Sequence, residues 1–181
     1  MKKLMCVVGA VAIAASAQAA SVKWTCTNVY APNGTDKMDG VAYFVNAATL
    51  SQESLASLKS ASDFTTALSG MYSWTPTTAG NYGATATNAE LGFSDSSDYT
   101  GYLLIFDTAT ITDESKYYTT SVKPVATYAG TETASVSFMS QATPSRAAGA
   151  WTSVTSDVPE PTSGLLMLIG MAGLALRRKR A

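Results

Sequence analysis

The middle of the chain alternates between apolar and polar positions. Val22, Trp24 and Cys26 interleave with Lys23, Thr25 and Thr27, and Ala134, Val136 and Phe138 interleave with Thr133, Ser135 and Ser137. A period of two sends successive side chains to opposite faces of an extended chain, so both runs predict half-buried strands. Tyr102-Leu103-Leu104-Ile105-Phe106 is apolar at every position, which predicts a central strand covered on both faces. Further strands are expected over Val41–Val45, Tyr72–Thr75, Lys116–Val122, Val125–Tyr128 and Ala150–Val154. Turn-forming groups separate them: Pro32-Asn33-Gly34, Asp39-Gly40, Ala79-Gly80-Asn81 and Ala129-Gly130.

One stretch has a longer period. Between Thr49 and Leu68, apolar residues recur at Leu55, Leu58, Phe64 and Leu68, close to helical spacing. Thr49 with Gln52 and Ser60 with Asp63 both read as capping boxes, and the second restarts the helix. The expectation is therefore one helix broken near Ser60, or two short ones. Short strands with turn signals between them predict a mainly β fold, an antiparallel β-sandwich over residues 20–157. A jelly-roll order of strands is one arrangement that the pattern permits.

Both ends depart from this pattern. Met1-Lys2-Lys3 precedes an apolar stretch, Leu4 to Ala15, and then small residues ending Ala17-Gln18-Ala19. A basic head, an apolar middle and an A-x-A exit are the order of a secretory signal peptide. Residues 1–19 are expected to be a signal helix removed after Ala19, taking Cys6 with them. At the other end, Val158-Pro159-Glu160-Pro161 precedes an uncharged, mainly apolar run from Thr162 to Leu176, then Arg177-Arg178-Lys179-Arg180. As a helix the run of 15 residues spans about 22 Å, short of the roughly 30 Å of a bilayer core. Four consecutive basic residues would sit badly against a protein core, and Leu165–Ile169 offers no polar face. The run is expected to be a transmembrane helix with Arg177–Arg180 on the cytoplasmic side.

The tail, with its Pro159-Glu160-Pro161, apolar Thr162–Leu176 and basic Arg177–Arg180 in that order, resembles the PEP-CTERM sorting signal of Gram-negative bacteria. The resemblance covers residues 158–181 and agrees with a leader on the same chain. It implies recognition and cutting of the tail by an exosortase, a membrane cysteine protease-transpeptidase. It also implies an exported protein of the cell surface or matrix, associated with exopolysaccharide. The expected partners are the export machinery and signal peptidase, the exosortase and, at least transiently, the inner membrane.

Charge sharpens this division. The chain has a formal net charge of −1, but residues 20–157 hold six basic against twelve acidic side chains, a net of −6. The basic residues that offset them lie at the two ends, the reverse of a nucleic-acid-binding domain, so nucleic acid is not expected as a partner. Ser and Thr make up roughly 30% of residues 20–157, a composition that favours strands and turns over helix.

The chain contains no histidine. That removes Ser-His-Asp and Cys-His catalysis, imidazole zinc ligands and histidine pH switches. Cys26 is the one cysteine after the leader, and its alternation with Val22 and Trp24 reads as a small buried hydrophobe; pairing between chains stays open. No lysine has a serine three residues before it, so a Ser-Lys nucleophile is not expected. Glycoside hydrolysis needs only two carboxylates, and Asp107, Asp113 and Glu114 are the nearest group. Solvated turn acids explain them as well. Asp36, Asp39, Asp95 and Asp98 lie in loop-like stretches but form no calcium loop, and turn formation accounts for them. Asn33-Gly34-Thr35 fits a glycosylation sequon but reads better as a hairpin turn. Trp24, Trp74, Trp151 and nine tyrosines could stack on sugars, with Trp74 and Tyr82 the most loop-like. The leading expectation is an exported surface or matrix protein that is not an enzyme and needs no cofactor or metal. A carbohydrate-binding module is the alternative, and a carboxylate-pair glycosidase comes behind it.

Overall fold

The computed structural model describes residues 19–138, 145–147 and 149–155. In chain order the elements are β1 (Ser21–Cys26), β2 (Ala42–Asn46), α1 (Gln52–Leu55), α2 (Ala61–Ala67), β3 (Ser73–Trp74) and β4 (Tyr82–Thr87). They continue with β5 (Asp98–Phe106), β6 (Lys116–Thr119), β7 (Lys123–Ala126), β8 (Thr133–Ser137) and β9 (Thr152–Ser153). Residues 1–18 of the predicted signal helix 1–19 and the predicted transmembrane helix 162–176 lie outside the described residues. Among the described residues no helix is long and apolar enough to cross a membrane.

The strands form two sheets. One has three strands in the order β4-β1-β8; the other has six, β3-β2-β5-β6-β9, with β7 also paired to β5. The nine-residue β5 is the organising element, and its last six residues, Gly101–Phe106, are all buried. Alternation sorts its side chains into two cores. Leu103 and Ile105 join Ala42 and Phe44 of β2 against Val22, Trp24 and Cys26 of β1 and Tyr82 and Ala86 of β4. Tyr102, Leu104 and Phe106 face the other way, against Leu55, Phe64 and Leu68 of the helical segment. The layers are thus a three-stranded sheet, a six-stranded sheet and a helical cover.

β5 changes partners along its length. Asp98–Gly101 pair with β7, and Leu104–Phe106 pair with β6. At the junction the Leu103 N–H donates to Thr120 Oγ1 at 2.9 Å, and the Thr120 N–H donates to the Leu103 carbonyl at 3.0 Å. Thr120 is itself buried, so a side chain completes the bonding of a strand that water cannot reach. On the helical side the Tyr102 hydroxyl donates to the Leu50 carbonyl at 2.9 Å, and Phe64 meets Phe106 edge-on at 5.7 Å.

The helix breaks where the capping residues dictate. Ser60 caps α2 by accepting from Asp63 N–H at 3.2 Å, while Asp63 Oδ2 accepts from Lys59 N–H at 3.0 Å. The first cap is corrected by two residues. Ser51, not Thr49, caps α1, accepting from the Ser54 N–H at 3.1 Å. Three further expectations change. The strands are not all antiparallel, because β1 and β8 pair in parallel, Trp24 opposite Val136. The expected strand from Lys116 ends at Thr119, because the chain must turn for β7 to reach β5. Tyr82–Thr87 is a strand that the run of small residues concealed: Tyr82, Ala84 and Ala86 alternate towards the shared core.

Burial on both faces of β5 makes Ile105→Ala and Leu104→Ala comparably costly, about 2–5 kcal/mol each, read from urea unfolding followed by tryptophan fluorescence. A cost below about 1 kcal/mol for Ile105→Ala alone would contradict packing of the three-stranded sheet on that face. Gly40→Ala is expected to cost more than about 3 kcal/mol, because a Cβ there would overlap the Phe106 carbonyl oxygen.

Candidate functional site

The two ends of the folded segment are fixed by backbone bonds. Ala20 is buried, and its carbonyl accepts from Asn88 N–H at 2.9 Å. Ser21 N–H donates to the Glu132 carbonyl at 3.1 Å, so packed structure starts at Ala20, one residue after Ala19, which is exposed. At the other end Val154 is buried and its N–H donates to the Ser115 carbonyl at 2.9 Å. Thr155 Oγ1 donates to the Asp113 carbonyl at 3.1 Å. Of the residues expected to direct sorting, Ala17, Pro159, Glu160, Pro161 and Arg177, Arg178, Lys179 and Arg180 lie outside the described residues.

The two aromatics expected to stack on sugar differ in exposure. Tyr82 is 1% exposed, with its hydroxyl donating to the Gly40 carbonyl at 3.1 Å. It is a core residue of β4, and burial pushes its phenol well up. Trp74 lies on the two-residue edge strand β3 opposite Ala42, half-buried against the shared core. Trp24 is fully buried, and Trp151 leans on Tyr118 at 5.8 Å while its Nε1 donates to the Ser145 carbonyl at 3.0 Å. Tyr72, two residues from Trp74, lines an open cleft instead, together with Glu90. The sequence signal that could have found it is the Ser69-Gly70 turn, which brings the chain out of α2 directly before Met71 and Tyr72.

Four of the acidic candidates hold backbone or side-chain N–H groups. Asp107 Oδ1 accepts from Lys116 N–H at 2.8 Å, and Asp113 Oδ1 accepts from Ala61 N–H at the start of α2, also at 2.8 Å. Asp36 accepts from the Asn33 side-chain amide at 2.6 Å, and Asp95 from that of Asn88 at 2.6 Å. Asn33 Oδ1 accepts from the Thr35 and Asp36 N–H groups, while Gly34 takes φ +72°, the turn expected there. Among the described residues no group of three or more Asp, Glu or Cys side chains is placed to hold a metal ion. Cys26 is buried, and burial pushes its thiol up to about 12.

Two of the six cations of residues 20–157 gather on one ring. Lys37 Nζ lies 3.9 Å from the centre of Tyr30 and the Arg146 guanidinium carbon 4.6 Å. Arg146 Nε also donates to the Gly34 carbonyl at 2.9 Å, and Tyr30 N–H donates to Ser145 Oγ at 3.0 Å. These contacts fasten the segment that leads to β9 onto the turn after β1.

Residues 157–180 match the family model of the PEP-CTERM protein-sorting motif. The motif begins two residues beyond Thr155, the last described residue, and marks a secreted protein whose sorting depends on an exosortase. No curated protein and no solved structure matches the chain.

The buried acids of the core predict an alkaline limit to stability. Cys26 is raised from 9.0 and Tyr102 from 10.0, each to about 12, and Tyr82 is raised further, all by burial. The folded state holds these protons more tightly than the unfolded chain. Their stabilisation is therefore complete below pH 9 and is lost as pH rises from 9 through 12. Stability measured by urea unfolding is expected to fall over that interval. In the same interval the native thiol should resist iodoacetamide until the protein unfolds. Rapid alkylation of native protein at pH 8 would contradict the burial of Cys26.

Proposed function

We propose that this is a non-enzymatic protein of the cell surface or extracellular matrix, delivered outside the inner membrane by the leader and the C-terminal signal. The observation that carries the proposal is the sorting motif at residues 157–180, which follows β9 in the sequence. In this reading signal peptidase cuts after Ala19, leaving Ala20 and its bonded carbonyl as the new terminus. The apolar run 162–176 lodges in the inner membrane with Arg177–Arg180 in the cytoplasm. The exosortase then cuts near Pro159-Glu160-Pro161 and releases residues 20–157 to the surface. We read the domain so released as a β-sandwich with a helical cover, on the strength of the core shared by its two sheets.

A non-enzymatic role is supported by what the acids do. Asp107 and Asp113 each hold a backbone N–H, a sufficient structural reason for carboxylates at those positions. Exopolysaccharide, the partner class implied by the resemblance, would have to be met without Tyr82, which is buried.

Mass spectrometry of protein extracted from the cell surface tests the processing step. The expected product starts at Ala20 and lacks the basic terminus. Surface protein that still ends at Ala181 in cells with an active exosortase would overturn the reading. Replacing Pro159-Glu160-Pro161 by three alanines should leave the uncut form in the membrane fraction.

A further inference from the structure

A cleft of about 300 Å³ opens between the end of α2 and the turn after β4. Phe44, Met71 and Leu91 supply its apolar lining, and Asn46, Tyr72 and Glu90 its polar lining. Gly70 and Gly92, one from each side, take left-handed conformations at φ +78° and +68° and have nothing within 4 Å of where a Cβ would stand. Side chains there would be strained in backbone conformation as well as intruding on the opening.

Glu90 is fixed. Its Oε2 accepts from the Thr87 N–H at 2.7 Å and from Thr87 Oγ1 at 2.9 Å. Those bonds hold its carboxyl below the usual range, and burial together with the Glu90 charge pushes the Tyr72 phenol up. Glu90 is itself exposed, and among the described residues that line the cleft it is the one carboxylate, with Tyr72 in the same lining. Among the described residues no lysine or arginine lines the cleft, and residues 20–157 carry a net −6. An anion entering the cleft would meet repulsion with no counter-charge. A cation would gain the carboxylate at short range and the surrounding field at long range. The volume lies at the small end for ligand sites, enough for a compact head group.

We propose that the cleft binds a small organic cation, an ammonium head group drawn to Glu90 and packed beside Tyr72. The site is independent of how the tail is processed, since all its residues lie in the folded segment.

The test is titration of the full-length protein with choline and with its uncharged isostere 3,3-dimethyl-1-butanol, followed by calorimetry and amide NMR shifts. Choline should bind at least about tenfold more tightly than the isostere, with shifts centred on Asn46, Tyr72 and Glu90. Glu90→Gln should reduce choline to the level of the isostere. Tyr72→Leu, which leaves the Thr87 bonds to Glu90 in place, should weaken choline severalfold. Equal binding of choline and the isostere, shifts centred elsewhere, or no binding of choline at 50 mM, about the weakest affinity such a head group would give, would each overturn the proposal. Glucose binding in this cleft more tightly than choline would overturn it too, in favour of a neutral polyol site.

Discussion

Burial of Gly101–Phe106 on both faces is the constraint from which the rest of the domain follows. A strand of this kind cannot leave a backbone group unpaired or an apolar side chain facing water. β2 supplies one edge, while β6 and β7 divide the other, with Thr120 closing the place where they meet. One face then needs a second sheet and the other needs a helical cover. The small three-stranded sheet and the segment around α1 and α2 meet those needs, Trp24 from one side and Phe64 from the other.

A chain so rich in serine and threonine still makes a core because its few large residues are concentrated inward. Trp24, Phe44, Phe93 and Phe138 form one chain of ring contacts, with Phe44 at its centre, and Phe64, Phe106 and Tyr117 form another on the helical side. Alanines at positions 42, 86 and 134 fill the spaces between large rings. Hydroxyl side chains work on the outside and at the ends of elements: Ser51 and Ser60 cap, Ser21 meets Thr133 at 2.9 Å, and Ser115 bonds into the loop that precedes β6. The same design leaves acids to organise turns, and Asp107 and Asp113 are engaged with backbone N–H groups.

Much of this was legible beforehand, and the misses share a cause. β1, β2, β8 and the buried part of β5 announce themselves by alternation or by an unbroken apolar run of large residues. β4 alternates as well, but through Ala84 and Ala86 beside Gly83, and such residues are as common in loops as in strands. Tyr82 reads as loop from its small neighbours, and it is the strand β4 that turns it into the core. Tyr72 and Glu90, which share the cleft, are 18 positions apart, and local pattern carries no information about such a meeting. The cap at Ser51 shows the ordinary limit on helix ends, since Thr49 and Ser51 offer the same hydroxyl chemistry.

The sequence by itself determined the address and the secondary-structure class. Signals of export and sorting are read as linear strings of charge, apolarity and proline, and alternation is a local property of the chain. Absence of histidine is equally local and closes off imidazole chemistry whatever the fold. Tertiary structure decided what depends on distant residues meeting: the parallel pairing of β1 with β8, the division of β5 between two cores, the burial of Tyr82, and the cleft where Glu90 stands with Tyr72. Those are facts of packing between segments, set by which faces exclude water together, and no single segment encodes them.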